Sequence, residues 1–182
     1  FILAEDFPLP AVKIFLEKTS PVGAGLGGGS ADAAFALKML DELCELNLTE
    51  TQLAEYASRL GSDCAFFIYN RPMIGEGRGE VLTEYPVDLE GFDLQVLTPE
   101  GISVSTKDAY GGIRPHLPEI PLREALSRPV EEWDGILVND FEETVFVKYP
   151  ELAAIKRSLY DSGAVYASMS GSGSALFALY RK

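Results

Sequence analysis

The chain has 182 residues, of which 47% are hydrophobic and 24% are charged, and its formal net charge is −13. This length is enough for one large domain or two small ones. The acidic balance argues against nucleic-acid binding, which needs a basic face, and no apolar run approaches the roughly 18 residues of a membrane-spanning helix. Cys44 and Cys64 are isolated thiols, which predicts a reducing, cytoplasmic setting. His116 is the only histidine and lacks partners at ligand spacing, so we expect no transition-metal site.

The first half of the chain shows both strand and helix periodicity. Val12, Ile14 and Leu16 alternate with their neighbours, which predicts a strand. A capping box at Thr49 and Gln52 predicts the start of a helix. The predicted elements are a strand at Val12–Glu17, a helix from Ser30, a helix from Thr49 that stops at Gly61, and strands at Ala65–Tyr69 and Glu80–Tyr85 flanking the turn-rich Asn70–Gly79.

The second half mixes strands and helices without strict alternation, which favours the α+β class. A proline-rich stretch from Pro115 to Pro129 interrupts it. The predicted elements are a strand at Phe92–Leu97, a helix from Ser105 or Thr106, a helix from Pro150 and strands at Val165–Ser168 and Ala175–Tyr180. The pattern changes near Tyr85–Leu89, so we predict two domains, residues 1–86 and 87–182.

Five glycines lie within the seven residues Gly23–Gly29, between the predicted strand and the helix from Ser30. Such a loop can be only a tight turn, but each glycine costs roughly 0.5–1 kcal/mol relative to Ala unless the backbone needs it. Glycine loops at helix starts can instead surround a phosphate with N–H groups. A Walker loop is excluded because no Lys lies between Lys18 and Lys38. A dinucleotide fingerprint fits only weakly, since no strand ending in an acidic residue follows about 20 positions later.

Four segments together resemble one family. The loop with the residues after it, Pro-x-Gly-Ala-Gly-Leu-Gly-Gly-Gly-Ser-x-Asp-Ala-Ala from Pro21, is similar to the phosphate-binding motif of the galactokinase, homoserine kinase, mevalonate kinase and phosphomevalonate kinase (GHMP) superfamily. Gly61–Phe67, Asn139–Glu142 and Ser170–Ala175 agree in order and spacing. The triple glycine with Ser-x-Asp-Ala-Ala resembles the 4-diphosphocytidyl-2-C-methyl-D-erythritol kinases. This resemblance implies part of an N-terminal ATP-binding domain followed by a ferredoxin-like C-terminal domain.

The resemblance implies a role for each residue of the loop. The residues that would bind ATP are Pro21, Gly23, Ala24, Gly25, Leu26, Gly27, Gly28, Gly29 and Ser30. The Ser30 hydroxyl would face phosphate oxygens or Mg²⁺ and would also cap the helix, whereas Ser20 could be only a strand-end residue and Asp32 only a carboxylate that stabilises the helix dipole. Replacing Gly27 and Gly28 with Val should abolish nucleotide binding while the fold survives.

Asp63 is the implied catalytic residue. By itself it resembles a turn residue that hydrogen-bonds to nearby backbone. In the family the matching Asp orients and deprotonates the substrate hydroxyl that attacks the γ-phosphate of ATP.

The resemblance also implies residues that bind the phosphate acceptor. Tyr110 would stack on a cytosine base, although an aromatic residue at this position of a helix is more often part of a core, and Thr106 would lie beside it. Gly171, Ser172 and Gly173 would bind the substrate's phosphates or form a simple β-turn.

The function implied is transfer of the ATP γ-phosphate, with Mg²⁺, to the 2-hydroxyl of a cytidine-diphosphate-linked methylerythritol in the non-mevalonate isoprenoid pathway. The alternatives are a kinase for another small alcohol, such as mevalonate or homoserine, and an ATP-binding chain without catalysis. Nothing matches the family's Ala-Lys-Ile-Asn-Leu type motif, which carries a catalytic Lys, and the chain begins at Phe1 without Met. We therefore expect a fragment that is inactive by itself unless Lys18 or Arg78 replaces that Lys.

Overall fold

The computed structural model describes residues 2–19 and 21–182. Phe1 and Ser20, including the interpretation of Ser20 as a strand-end residue, lie outside the described residues. The chain forms two compact units, and the division falls between Val87 and Asp88, except that Gly23–Leu26 belong to the second unit. The functional domains 1–86 and 87–182 stay a prediction.

The first unit is built on three helices that pack around one apolar core. The helices are α1 (Gly28–Leu43), α2 (Glu50–Leu60) and α3 (Cys64–Tyr69), and a 3₁₀ turn at Ile2–Glu5 precedes them. Leu37 and Leu40 of α1 are buried in the same cluster as Leu53 of α2 and Ile68 of α3. The predicted capping box of α2 is confirmed, because Thr49 and Gln52 bond to each other's backbone N–H groups.

Two strands of the first unit form an antiparallel hairpin. They are β1 (Met73–Glu76) and β2 (Val81–Glu84), with Met73 opposite Glu84. The strand near Glu80–Tyr85 is therefore confirmed, while its partner β1 lies in a stretch predicted to be turns. The strand predicted at Ala65–Tyr69 is wrong, since this segment belongs to helix α3. Its short apolar run lies in a helical core and not in a sheet, a distinction that periodicity alone does not make.

The strand predicted at Val12–Glu17 is also wrong. The described residues on either side of Ser20 contain no strand before β1, and Ile14, Phe15 and Leu16 are exposed. Alternating residues adopt strand geometry when a neighbouring strand satisfies their backbone groups. None of the described residues pairs with this segment in either sheet.

The second unit contains a three-stranded antiparallel sheet. Its strands are β3 (Phe92–Leu97), β4 (Tyr166–Met169) and β5 (Leu176–Arg181), and β5 lies in the middle. The prediction of β3 is confirmed at both ends, and the two C-terminal strands each lie one residue later than predicted. Together with the helices, this sheet confirms the α+β class.

Four helices complete the second unit. They are α4 (Thr106–Gly112), α5 (Leu122–Leu126), α6 (Phe141–Lys148) and α7 (Pro150–Asp161), and Val130–Glu132 forms a 3₁₀ turn. The predicted starts of α4 and α7 are confirmed. Leu152 and Leu159 of α7 are buried in one cluster with Ala167 of β4 and Ala178 of β5. Across residues 2–19 and 21–182, no helix combines the length and apolar character needed to cross a bilayer.

Candidate functional site

The first glycine loop alternates between ordinary and left-handed backbone. Gly23, Gly25 and Gly27 have φ angles of 73°, 76° and 68°, which residues other than glycine rarely adopt. This alternation turns the chain sharply before α1 begins at Gly28.

Gly25 packs against the second glycine loop, residues 170–174. A Cβ atom at Gly25 would overlap the carbonyl oxygen of Ser170 and lie 2.9 Å from the backbone N of Gly173. The Ser170 hydroxyl donates to the Gly25 carbonyl oxygen at 2.8 Å, and the Ala175 N–H donates to the Ala24 carbonyl oxygen at 2.9 Å. Glycine at position 25 is therefore required by contact between the two loops.

Gly27 is required for a different reason. A Cβ atom there would lie 2.7 Å from the ring of Phe67 on α3, and its φ is left-handed. The expectation that Val at positions 27 and 28 would leave the fold intact is wrong, because the Phe67 ring occupies the space that the side chain at 27 would need.

The first turn of α1 is open to a ligand. The first four N–H groups at the start of a helix have no partner within the helix, and among the described residues no side chain caps α1. The prediction that Ser30 caps this helix is wrong, because the helix already begins at Gly28 and Gly27 occupies the cap position. A Cβ atom at Gly29 would meet no atom of residues 2–19 or 21–182 within 4 Å, so these described residues give no steric reason for glycine there.

Asp32 has a local partner. Its Oδ2 atom lies 2.5 Å from Nζ of Lys18, and both side chains are partly exposed. This ion pair supports the structural interpretation of Asp32. It also occupies the ammonium group of Lys18, which is, together with Arg78, a candidate replacement for the catalytic Lys.

Asp63 lies at the start of α3 and is exposed. Its side chain makes no capping hydrogen bond, so the local role that its position suggests is not realised. A Cβ atom at Gly79 would lie 3.5 Å from Oδ1 of Asp63, which places the carboxylate beside the β1–β2 turn next to Arg78. An exposed carboxylate without a capping role is suited to accept a proton from a ligand.

Cys64, the residue after Asp63, faces the start of α1. Burial raises the pKa of its thiol, and a hydrogen bond with the side chain of Ser30 opposes that rise. The thiol is therefore a protonated core group at neutral pH. Its contact with Ser30 joins the start of α3 to the first turn of α1.

Among the residues predicted to bind the phosphate acceptor, Thr106 and Ser172 lie close together, and Tyr110 is an exposed aromatic residue. Thr106 Oγ1 lies 3.4 Å from the Ser172 Oγ of the second glycine loop. Tyr110 is 65% exposed, and its ring stands edge-on to Phe141 at a centroid distance of 4.9 Å. The core interpretation of Tyr110 does not fit this exposure, and a ring held on one edge by a second aromatic side chain can present a face to a base.

Two family models match the chain. The model of the GHMP kinases N terminal domain covers residues 2–71, and the model of the GHMP kinases C terminal domain covers residues 122–182. A protein of Azobacteroides pseudotrichonymphae named 4-diphosphocytidyl-2-C-methyl-D-erythritol kinase is 46% identical over 182 residues, which are 100% of this chain and 68% of that protein. This chain belongs to the family of 4-diphosphocytidyl-2-C-methyl-D-erythritol kinases within the GHMP kinases.

Further members of this kinase family agree. A Bacteroides fragilis protein of the same name is 50% identical over 179 residues, which are 98% of this chain and 65% of that protein. A crystal structure of 4-(cytidine 5'-diphospho)-2C-methyl-D-erythritol kinase matches with a TM-score of 0.71 and 32% identity, over 90% of this chain and 59% of that one. The chain thus spans 65% of the length of its Bacteroides fragilis relative.

A homoserine kinase from Cytophaga hutchinsonii shares the fold. Its crystal structure matches with a TM-score of 0.64 over 91% of this chain and 59% of that one, at 21% identity. This likeness concerns the GHMP kinase fold alone.

Sequence reasoning assigned no role to two residues of the family's Asn-Asp-Phe-Glu segment. Asn139 donates to the carbonyl oxygens of Met169 and Gly171, and Glu142 accepts the N–H of Met169. Both therefore hold the chain that leads into the second glycine loop. The motif could have pointed to these two residues, but it gives no indication of their hydrogen-bond partners, which lie about 30 residues away in the sequence.

The described residues offer no cluster of side chains that could hold a metal ion by themselves. In the part of the chain that the structure describes, no three Asp, Glu, His or Cys side chains are grouped so that they could hold an ion.

Gly29→Ala should stabilise the fold and weaken ATP binding. Ala is about 1 kcal/mol better than Gly inside a helix, and space for its Cβ is free of protein atoms. If the loop binds phosphate, that Cβ occupies ligand space, and we expect the Kd for ATP to rise by about tenfold or more, or about 1.4 kcal/mol. Thermal melting and calorimetric titration of the complete gene product measure both effects.

The matched control is Gly91→Ala, a position where an added Cβ would also meet no described atom within 4 Å and where φ is not left-handed. It should leave ATP affinity unchanged. Unchanged affinity in Gly29→Ala as well would show that the first turn of α1 does not approach the phosphates.

Proposed function

We propose that this chain supplies ATP-binding and acceptor-binding parts of a kinase that phosphorylates the 2-hydroxyl of 4-diphosphocytidyl-2-C-methyl-D-erythritol. The relatives carry the name of this activity, and the chain contains the residues that the resemblance assigns to ATP, to the acceptor and to the general base, but no match to the motif with the catalytic Lys. The products are ADP and the 2-phosphate of the acceptor, a step of the non-mevalonate isoprenoid pathway.

The observation that carries the proposal is the uncapped first turn of α1 after the glycine loop. Thr49 caps α2 and Ser105 caps α4, whereas α3, α5, α6 and α7, like α1, have no side-chain cap from the described residues. Unlike these other helices, α1 directly follows a loop with three left-handed glycines. An open helix start combines free N–H groups with the positive end of the helix dipole, and this combination favours phosphate oxygens.

The residues of the loop are suited to bind the phosphates of a nucleoside triphosphate. N–H groups of Gly28, Gly29 and Ser30 would donate to phosphate oxygens, and the absence of a Cβ at Gly29 leaves room for them. Mg²⁺, when bound, would neutralise part of the phosphate charge, with the Ser30 hydroxyl as the oxygen ligand that this segment offers. Few protein ligands are needed, because Mg²⁺ in kinases is held largely by phosphates and water.

Asp63 would act as the general base. Its carboxylate accepts the proton of the acceptor's 2-hydroxyl while that oxygen bonds to the γ-phosphorus and the bond to the ADP oxygen breaks. The N–H groups of the loop would stabilise the charge that builds on the transferred phosphoryl group. Arg78 lies in the β1–β2 turn, which is beside Asp63, and is a cation that could assist in stabilising the charge of the phosphoryl group.

The exposed Tyr110 ring favours an acceptor with a base over a small alcohol such as homoserine or mevalonate. Thr106 and Ser172 form a polar pair, and with Gly171 and Gly173 they would bind the diphosphate of the acceptor. Free thiols at Cys44 and Cys64 agree with a cytoplasmic location, and the absence of nucleic-acid partners stays a prediction.

Asp63→Asn should lower turnover with little change in ATP binding. Asn keeps the shape of the side chain but does not accept the proton, so we expect kcat to fall by about 10²–10⁴-fold. Coupled ADP-release assays of the complete gene product measure turnover, and calorimetry measures ATP affinity. Asp93→Asn, at an exposed carboxylate on β3, is the control and should behave as wild type. Turnover of Asp63→Asn within about threefold of wild type would return Asp63 to a structural role.

Tyr110→Ala should raise KM for the cytidine-containing acceptor and leave KM for ATP unchanged. Stacking of a base on an aromatic ring contributes about 1–3 kcal/mol, so the rise should be between about fivefold and about 150-fold. Tyr110→Phe keeps the ring and should stay close to wild type. If Tyr110→Ala changes neither KM, the ring does not bind the acceptor, and a panel of small alcohols becomes the next test.

A further inference from the structure

The segment Ser168–Gly171, which leads from β4 into the second glycine loop, is held by Asn139, which lies two residues before α6 begins at Phe141. The side-chain amide of Asn139 donates to the carbonyl oxygen of Met169 at 2.7 Å and to that of Gly171 at 2.8 Å. Its Oδ1 atom accepts the N–H of Phe141 at 3.0 Å. Asn139 therefore uses both N–H donors and its acceptor at the same time.

Glu142 holds the same segment from the first turn of α6. Its Oε1 atom accepts the N–H of Met169 at 2.7 Å and the hydroxyl of Ser168 at 3.2 Å. Its Oε2 atom lies 2.5 Å from Nζ of Lys156 on α7. The Glu142 side chain is only 13% exposed, so these bonds are shielded from competing water.

The segment in turn holds the first glycine loop. The Ser170 hydroxyl donates to the Gly25 carbonyl oxygen, and Gly25 has no room for a side chain at this contact. Asn139 bonds to the residues on both sides of Ser170 and so determines where that hydroxyl lies.

We propose that Asn139 is a positioning residue for the first glycine loop, which it holds in place through Ser170. This proposal rests on the proposed function, because the loop must bind ATP for its position to affect catalysis. Asn139 itself touches neither the first loop nor a reacting group in this chain of contacts.

Asn is the side chain that these contacts require. Asp has the same shape and would still accept the N–H of Phe141. It has no N–H donor, however, and would place a carboxylate oxygen against the carbonyl oxygens of Met169 and Gly171. The Asp variant therefore separates a role in starting α6, which Asp can perform, from a role in holding the loop, which it cannot.

Asn139→Asp in the complete gene product should raise KM for ATP by about tenfold while kcat stays within about threefold, because a displaced loop loses binding shared by ground state and transition state. Ser170→Ala should give a similar rise. The double variant should add at most about twofold to the larger single effect, since both substitutions act through one contact. Ser158→Ala removes a hydroxyl-to-carbonyl bond of 2.7 Å within α7 and is the matched control, which should leave KM unchanged.

Amide hydrogen exchange of Ala175 provides a readout that does not depend on ATP. Its N–H donates to the Ala24 carbonyl oxygen, so exchange should be faster in Asn139→Asp than in wild type. If wild type does not bind ATP, the proposed function fails, and the exchange rate alone decides whether Asn139 holds the loop.

Wild-type KM for ATP in a folded Asn139→Asp variant would overturn the proposal. If that variant does not fold, Ser170→Ala carries the test, and an unchanged KM for ATP together with unchanged exchange of Ala175 would overturn it equally.

Discussion

The close approach of two backbone segments, Gly25 and Ser170–Gly173, is the constraint on which the candidate site depends. No side chain fits at position 25, and a serine hydroxyl and an amide N–H hold the carbonyl oxygens of the first loop. One bond in this contact joins backbone to backbone and the other uses the short serine side chain, so the contact contains few rotatable bonds. A loop fixed in this way can present its own N–H groups to a ligand with little ordering cost at the moment of binding.

Three of the five glycines of the loop differ in what surrounds them. Gly25 allows contact with the second loop, Gly27 leaves space for the ring of Phe67, and Gly29 has open space beside it. The loop also crosses from one compact unit to the other, since Gly23–Leu26 belong to the second unit and α1 to the first. The sequence motif thus combines packing requirements at Gly25 and Gly27 with Gly29, the position at which we propose that glycine leaves room for a ligand.

Sequence reasoning succeeded where the chemistry is local and failed where it depends on distant partners. The capping box at Thr49 and the strand at Phe92–Leu97 follow from neighbouring residues or from a regular pattern, and both were predicted. The apolar run of α3 was assigned to a strand because a short run fits either structure. Asn139 received no role because its partners, Met169 and Gly171, are remote in sequence. The glycines of the loop also look alike in the sequence, so the different surroundings of Gly25, Gly27 and Gly29 could not be predicted from it.

The central claim is that the first turn of α1, which directly follows the first glycine loop, binds the phosphates of ATP. A crystal structure of the complete gene product with a nonhydrolysable ATP analogue tests it most directly. The account predicts phosphate oxygens within hydrogen-bond distance of the N–H groups of Gly28, Gly29 or Ser30, with the bond between Ser170 and Gly25 intact. A triphosphate bound elsewhere, with these N–H groups facing solvent, would contradict it.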